Sequence, residues 1–268
     1  FPRFPVTKQR LDTAVVSRGL AETRTKAQRR IRAGDVRVNG QLVLSVSHRV
    51  SDDDVLTRDG GADYVGRGAH KLKAALEQWS LELERCCVLD LGASTGGFTQ
   101  VALDNGAIRV IALDVGHGQL HPRLAADSRV ESFEGINARL MDATWWQEQV
   151  GVSPQWVVAD LSFVSLTQII APVRAAIGDA GWIVLVKPQF EVGRTKVQGG
   201  LVYDRDDHEA AVMSVLEHAA TQGLSCHGVM ASPITGEGGN QEYLCWLSPT
   251  LGRNPTQWSQ QVHLLTHP

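Results

Sequence analysis

Two apolar runs in this chain end on charged residues that packing does not explain. Lys187 closes the run in WIVLVKPQF, and Asp160 closes the run in WVVADLSF. An unpaired buried charge is costly, so each needs a partner or a task. A lysine whose proton affinity is lowered by burial or a neighbouring cation can hold a weakly acidic hydroxyl and take its proton, and a carboxylate can fix that lysine in place. A third stretch, DLGASTGG from Asp90 to Gly97, places Gly92, Gly96 and Gly97 where the backbone can approach a ligand. Asp114 follows roughly 20 residues later, the spacing at which a carboxylate accepts both hydroxyls of a ribose. Ala93, Ser94 and Thr95 stand where the nicotinamide fingerprint wants its second glycine. An acid two positions before Gly92 instead suits a cofactor with an amino-acid part and a nucleoside part, and S-adenosylmethionine has both. A glycine turn alone is more often a tight connection; its combination with Asp90 and Asp114 is what points to a ligand. Asn137 is placed at the adenine rim of this cofactor site, although asparagine at a loop start commonly serves only as a cap.

The elements that must position these groups are legible as alternating patterns. CCVLDLG, RVIALDVG, WVVADLSF and WIVLVKPQF read as strands separated by helical segments, followed by a long helix around AAVMSVLEHAATQG and the strand-like LSCHGVMASPI and EYLCWL. Strands alternating with helices imply an α/β, doubly wound, mostly parallel sheet, whose ligands bind beyond the carboxyl ends of the strands. With 268 residues, 43% of them hydrophobic and 21% charged, the chain is an ordinary globular protein rather than a disordered, collagenous or coiled-coil one. Cys86, Cys87, Cys226 and Cys245 form neither a disulfide framework nor a C-x-x-C spacing, so no metal and a reducing, cytoplasmic setting are expected. No apolar run approaches the roughly 18 residues of a membrane span. Residues 1–9 lack an initiator Met, carry Pro2 and Pro5, and are expected to be disordered or extraneous to the fold.

The net charge of −3 hides an uneven distribution. Residues 1–56 hold eleven Lys and Arg against six Asp and Glu, a net of +5, which leaves fifteen against twenty-three, a net of −8, for the rest. Within this basic head, residues 10–18 read as a short amphipathic helix ended by Gly19. A second helix is capped by Thr23 and ended by Gly34, and Asn39-Gly40 predicts a type I′ hairpin in VRVNGQLV. Arg24, Lys26, Arg29, Arg30 and Arg32 put five cations into nine residues, and Arg10 and Arg18 lie close by in sequence. A charge run is often only a solvated face; here its density suits phosphate neutralisation. The shortage of aromatic residues argues for structured RNA rather than single-strand stacking.

RLDTAVVSRGLAETRTKAQRRIRAGDVRVNGQLV resembles the small RNA-binding domain named after ribosomal protein S-four, over residues 10–56. From residue 64 to 248 the chain resembles the FtsJ-type ribose 2′-O-methyltransferases, and as a whole the TlyA, or haemolysin A, family of ribosomal RNA methyltransferases. The stretches that carry this are YVGRGAHKL, DLGASTGGFTQ, ALDVGHGQL, VADLSFVSL, LVKPQFEVG and GNQEYLCWL. The resemblance implies a seven-stranded class I methyltransferase (Rossmann-like) sheet and S-adenosylmethionine held by Asp90, Gly92, Ala93, Ser94, Gly96, Gly97, Phe98, Asp114, Val115, Asn137 and Asp160. It also implies a catalytic tetrad of Lys71, Asp160, Lys187 and Glu242, and cytidine in ribosomal RNA or ribosomal subunits as the substrate. In that scheme Lys187 activates the 2′-hydroxyl, Asp160 positions it, and Lys71 and Glu242 complete the network. Without the resemblance, Lys71 and its neighbour Lys73 could be ordinary helix lysines and Glu242 a surface strand residue. Gly66 departs from the serine common in relatives, while the lysine of that motif is kept.

The remaining expectations concern connections. Residues 57–63 read as a linker. The stretch Glu191 to Asp204, carrying Arg194, Lys196 and Gly199-Gly200, reads as an RNA-contacting lid by its length and position. Residues 249–268 read as a tail without an assigned role. Three rival functions stand beside methyl transfer. A non-catalytic RNA-binding or ribosome-assembly factor would tolerate a degenerate tetrad and turn. A membrane-active haemolysin would need an apolar span or a strongly amphipathic surface helix. Pseudouridylation would share the head but not the cofactor turn.

Overall fold

The computed structural model describes residues 8–58, 64–236 and 238–268. They fall into two compact units, Phe1–Arg67 and Gly68–Pro268. Of the expected linker, residues 59–63 lie outside the described part, as do residues 1–7.

The small unit is built as its turn residues dictate. Strand β1 (Gln9–Arg10) leads into α1 (Leu11–Ser17), and α2 (Arg24–Ala33) follows. Thr23 caps α2, its hydroxyl accepting the Lys26 N–H at 3.2 Å, and Gly34 ends it in the left-handed region. Strands β2 (Val36–Val38) and β3 (Gln41–Leu42) meet at Asn39-Gly40, whose φ values of 51° and 79° are those of a type I′ turn. Strand β4 (Arg49–Val50) pairs with β1, so Gln9 belongs to the fold. Strand β5 (Leu56–Arg58) pairs with β2, so Thr57 and Arg58 extend this sheet rather than begin a connection. Leu11, Ala14, Val15, Ala27, Ile31, Val36 and Val50 form its core.

The large unit opens with α3 (Gly68–Trp79) and then alternates: β6 (Cys87–Leu91), α4 (Gly97–Asp104), β7 (Arg109–Asp114), α5 (Pro122–Ala125), β8 (Val130–Glu134), α6 (Ala143–Gln149), β9 (Trp156–Ala159), α7 (Ile170–Ile177), β10 (Gly181–Val186), α8 (Pro188–Glu191), α9 (Arg205–Thr221), β11 (Ser225–Ala231), β12 (Tyr243–Ser248) and α10 (Ser259–Thr266). The seven strands stand in the order β11-β12-β10-β9-β6-β7-β8, with β12 antiparallel to both neighbours and the other pairs parallel. This is the doubly wound, mostly parallel sheet that the alternation implied.

Both faces of the sheet are covered, and strand alternation shows it. Leu89, Leu91, Val157, Ala159, Trp182, Val184 and Val186 point into the core shared with α7 and α9, while the intervening Val88, Val158, Ile183 and Leu185 are buried on the other face. Residues 249–268, expected as a tail, are part of this unit. Trp258 and Val262 enter the main core, and the Trp258 indole N–H donates to the Cys226 carbonyl at 3.0 Å. The stretch holds an eight-residue helix, α10, that buries Val262 while Leu264 is exposed, a short and weakly one-sided pattern.

Chain order reverses direction in the sheet between β6 and β9, the position at which a crevice opens at the carboxyl ends of the strands. Antiparallel β12 brings its first residue to the same rim: Tyr243 pairs with Val186, the last residue of β10.

Candidate active site

That rim collects the four residues of the expected tetrad. Lys187 follows β10, Asp160 follows β9, Glu242 precedes antiparallel β12, and Lys71 lies in the first turn of α3. Lys187 Nζ is 2.7 Å from Asp160 Oδ1; Lys71 Nζ is 3.8 Å from Asp160 Oδ2 and 2.6 Å from Glu242 Oε2. The charges alternate along a continuous chain, so two cations and two anions enter a largely buried site with no net charge. Lys71, Lys187 and Glu242 are 7%, 8% and 2% exposed, and Asp160 is the more open member. Gly68 makes the close approach of α3 possible: a Cβ there would stand 3.0 Å from Asp160 Oδ2. Lys73, by contrast, points toward Glu77 one turn along α3 and takes the ordinary helix role.

Lys187 Nζ also donates to Ser162 Oγ at 3.0 Å, and its ammonium lies 5.9 Å from the Phe190 ring centroid. Three donors less the two spent on Asp160 and Ser162 leave one for a substrate oxygen. Phe190 in turn packs against Phe163, centroids 5.2 Å apart. Phe163 is 91% exposed and adopts φ of 64°, uncommon for a bulky residue. Sequence reasoning missed Ser162, Phe163 and Phe190; the signal was their position immediately after β9 and β10, where only charged residues had been sought. Glu191 binds the two rim loops together, accepting the Leu166 N–H at 2.9 Å and the Ser165 hydroxyl at 2.5 Å. Burial raises its carboxyl above the usual range.

The residues expected at the cofactor line the neighbouring strand ends. Gly92 has φ of 78°, and a Cβ there would lie 2.8 Å from the Asp160 carbonyl oxygen, so the turn after β6 closes onto the β9 rim only with glycine. Gly96 and Gly97 start α4, whose Phe98 is buried with Ala93. Asp114 accepts the Ser94 N–H and the Gly116 N–H, each at 2.7 Å, which fixes its carboxylate with lone pairs to spare. Val115 beside it is 68% exposed. Asp90 is fully covered: Oδ2 accepts the Thr99 hydroxyl at 2.6 Å, and Oδ1 has no partner. Burial pushes its carboxyl up to about 7. Asn137 lies beyond the end of β8 and caps a short 3-10 turn, its Oδ1 accepting the Arg139 N–H at 3.1 Å. A glycine cradle, a fixed carboxylate on the next strand and an orphaned acid oxygen beneath them fit a cofactor with a nucleoside and an amino-acid part.

The segment between β10 and α9 is held more firmly than a free lid. Asn240 accepts the Val202 N–H at 2.9 Å and donates to the Gly200 carbonyl at 2.7 Å, and His208 bridges the Val202 carbonyl and the Tyr243 hydroxyl. Lys196 is ion-paired with Asp207, while Arg194 is exposed.

In the small unit, the basic residues divide into two kinds. Buried Asp12 gathers Arg10, Arg24 and Gln28, which hold its carboxyl well below the usual range. Arg18 donates to the Ser51 and Asp54 carbonyls, Arg30 donates to the Leu20 carbonyl at 2.7 Å, and Lys26 pairs with Glu22. Of the seven expected phosphate contacts in this unit, Arg29 and Arg32 are the ones without such a partner among the described residues.

Comparison with known proteins places these features in context. The model of the FtsJ-like methyltransferases matches residues 64–248, and that of the S4 domain matches residues 9–56. A Mycobacterium tuberculosis protein named 16S/23S rRNA (cytidine-2′-O)-methyltransferase TlyA is 44% identical over 250 residues, covering 92% of each chain. Hemolysin A of Brachyspira hyodysenteriae is 38% identical over 237 residues, 88% of this chain and 98% of that one. A solved structure named as a hemolysin of Streptococcus thermophilus superposes with a TM-score of 0.72 at 36% identity, covering 98% of this chain and 96% of that one.

Proposed function

The chain belongs to the FtsJ-like methyltransferase family and carries an S4 domain ahead of that domain, and from this premise we propose that it methylates the ribose 2′-hydroxyl of a cytidine in ribosomal RNA. The observation that carries the reading is the unbroken Lys187–Asp160–Lys71–Glu242 chain at the switch point of the sheet. A non-catalytic RNA-binding factor has no need to bury four alternating charges there.

S-adenosylmethionine, held by the turn from Asp90 to Gly97 and by Asp114, supplies an electrophilic methyl group when bound. Lys187 reacts as the neutral amine: with Asp160 and Ser162 holding its Nζ from two sides, the lone pair faces the ribose hydroxyl and takes up its proton, and the ammonium so formed is paired with Asp160. The same two contacts leave the substrate position defined. Lys71 balances Asp160, and Glu242 balances Lys71, so neither acid draws Lys187 out of line. Phe163, exposed and packed on Phe190, offers the target nucleotide a stacking surface beside that position. The S4 domain docks folded RNA through its basic face, with Arg29 and Arg32 free for phosphate, and Arg194 adds a contact near the site. The setting that suits this substrate and four free cysteines is the cytoplasm.

The test is transfer of labelled methyl from S-adenosylmethionine to purified ribosomal subunits. The wild-type chain is expected to label ribose on a cytidine, and Lys187→Ala to lose about 100-fold or more of the rate, the scale of a positioned proton acceptor. Absence of transfer by the wild type would overturn the reading; equal transfer by both would overturn the role of Lys187.

A further inference from the structure

The C-terminal helix carries an H-x-x-x-H spacing that a search for paired cysteines passes over. His263 stands on α10 and His267 follows as its C-cap, their rings 4.2 Å apart and 25° from parallel, and both face Glu209 on α9. Two imidazoles four residues apart, one in the last turn of a helix and one at its C-cap, completed by a carboxylate from a second element, are a donor set suited to zinc-type ions. We propose that His263, His267 and Glu209 bind one late first-row divalent cation of the zinc class, which staples α10 to α9.

One ligand atom from each of the three residues lies within 4.8 Å of the others. Bonds of about 2.0–2.1 Å in a tetrahedral site separate ligand atoms by about 3.4 Å, so side-chain rotation alone closes the cage. His263 Nδ1 is already 2.8 Å and His267 Nδ1 3.7 Å from Glu209 Oε2. Outside the cage, His267 Nε2 lies 3.2 Å from Asp206 Oδ1. A carboxylate on the far nitrogen of a ligating imidazole fixes its tautomer and orientation, the usual support of a histidine ligand. His267 Nδ1 also approaches the His263 carbonyl at 3.1 Å and the Thr266 hydroxyl at 3.0 Å. The ion replaces these contacts, and Thr266 keeps its bond to the Val262 carbonyl. Two nitrogens and one oxygen select zinc, nickel, cobalt or copper over calcium and magnesium, which want oxygen alone. The half-open position of Glu209 and His267 leaves room for entry and for water as a fourth ligand.

The staple acts where the chain needs it. Helix α10 contributes Val262 to the core and is tied to α9 by the Arg205 side chain, which donates to the Thr266 carbonyl at 3.0 Å. A cation bound only by the folded chain raises its stability by mass action.

The full chain, stripped with a chelator, is titrated with zinc chloride alone and followed by calorimetry and thermal unfolding. One equivalent is expected to bind, the unfolding midpoint to rise by about 5 °C at a hundredfold excess over Kd, and cobalt to give the visible bands of tetrahedral coordination. The His263→Ala/His267→Ala variant is expected to lose all three, Asp206→Asn to bind about 10-fold to 100-fold more weakly, and Cys86→Ser, which removes the most open thiol, to bind as wild type. All substituted side chains of the site are partly exposed, and circular dichroism of each variant confirms its fold. Failure of the wild type to take up one equivalent, or equal uptake by the double-histidine variant, overturns the site.

Discussion

Lys71 Nζ and Glu242 Oε2 stand 2.6 Å apart although 171 residues separate them in the chain. Glu242 is 2% exposed, so Lys71 is what makes its charge tolerable there. Lys71→Ala is expected to destabilise the large unit by about 3–5 kcal/mol, because it leaves a buried carboxylate uncompensated. The Lys71→Met/Glu242→Leu double variant is expected to regain most of that stability while methyl transfer stays impaired. Denaturant unfolding of wild type, Lys71→Met, Glu242→Leu and the double variant closes the cycle and measures the coupling; a loss below about 1 kcal/mol in Lys71→Ala would mean that water reaches Glu242.

Phe163 combines an uncommon backbone conformation with full exposure at the rim of the site. A phenylalanine held at φ of 64° with its ring in solvent gains little from the fold. Phe163→Gly is therefore expected to raise stability by about 1 kcal/mol while lowering kcat/KM for ribosomal RNA about tenfold or more, the scale of one lost base stack. Phe163→Trp is expected to retain turnover. Thermal unfolding and methyl-transfer kinetics decide between this and a bystander ring, for which both substitutions would leave kcat/KM unchanged.

What the sequence disclosed and what it withheld follow from the range of the interactions. Strands β6, β7, β9 and β10 were legible because each is a run of apolar residues with a group that needs a partner at or beside its end, as at Asp90, Asp114, Asp160 and Lys187, whereas β8, VESFE, is half exposed and has no such run. Thr23, Gly34 and Asn39-Gly40 were legible because caps and turns are set by one or two residues. Lys71 and Glu242 were not: on their own elements they look like surface residues, and their pairing exists only once antiparallel β12 brings Glu242 to the rim. Helix α10 was hidden because Val262 is the apolar residue it buries fully, with Trp258 just ahead of it, and both are met by distant partners. Within the basic head, charge could be counted but not apportioned, since Asp12 and the carbonyls of Ser51 and Asp54 claim cations that a helical wheel shows facing outward.

That apportionment gives a separable outcome. Arg29→Ala/Arg32→Ala is expected to weaken RNA binding and to flatten its logarithmic salt dependence by about 1.4–1.8, as two phosphate contacts would, with unchanged thermal stability. Arg18→Ala is expected to destabilise the S4 domain, because it removes the donor shared by the Ser51 and Asp54 carbonyls. Filter binding across a salt series, set beside thermal unfolding, separates the two; equal salt slopes for wild type and the double variant would remove Arg29 and Arg32 from the RNA interface.

Asp90 sets a pH dependence with a definite sign. Burial raises its carboxyl from the ordinary 3.8 to about 7 in the folded chain, against the Thr99 hydroxyl bond that lowers it. The folded state therefore holds a proton that the unfolded state releases between about pH 4 and 7, and this group makes stability fall as pH rises through that window and level off above it. Asp12 and Asp54, held low by their partners, contribute the opposite slope at lower pH, but equally to any variant at position 90. Asp90→Asn keeps an acceptor for Thr99 and cannot ionise. Its stability relative to wild type is expected to be greater at pH 8 than at pH 5 by on the order of 2 kcal/mol. Denaturant unfolding at both pH values measures the difference, and parallel curves would show that Asp90 is ionised throughout, its charge stabilised by something other than Thr99.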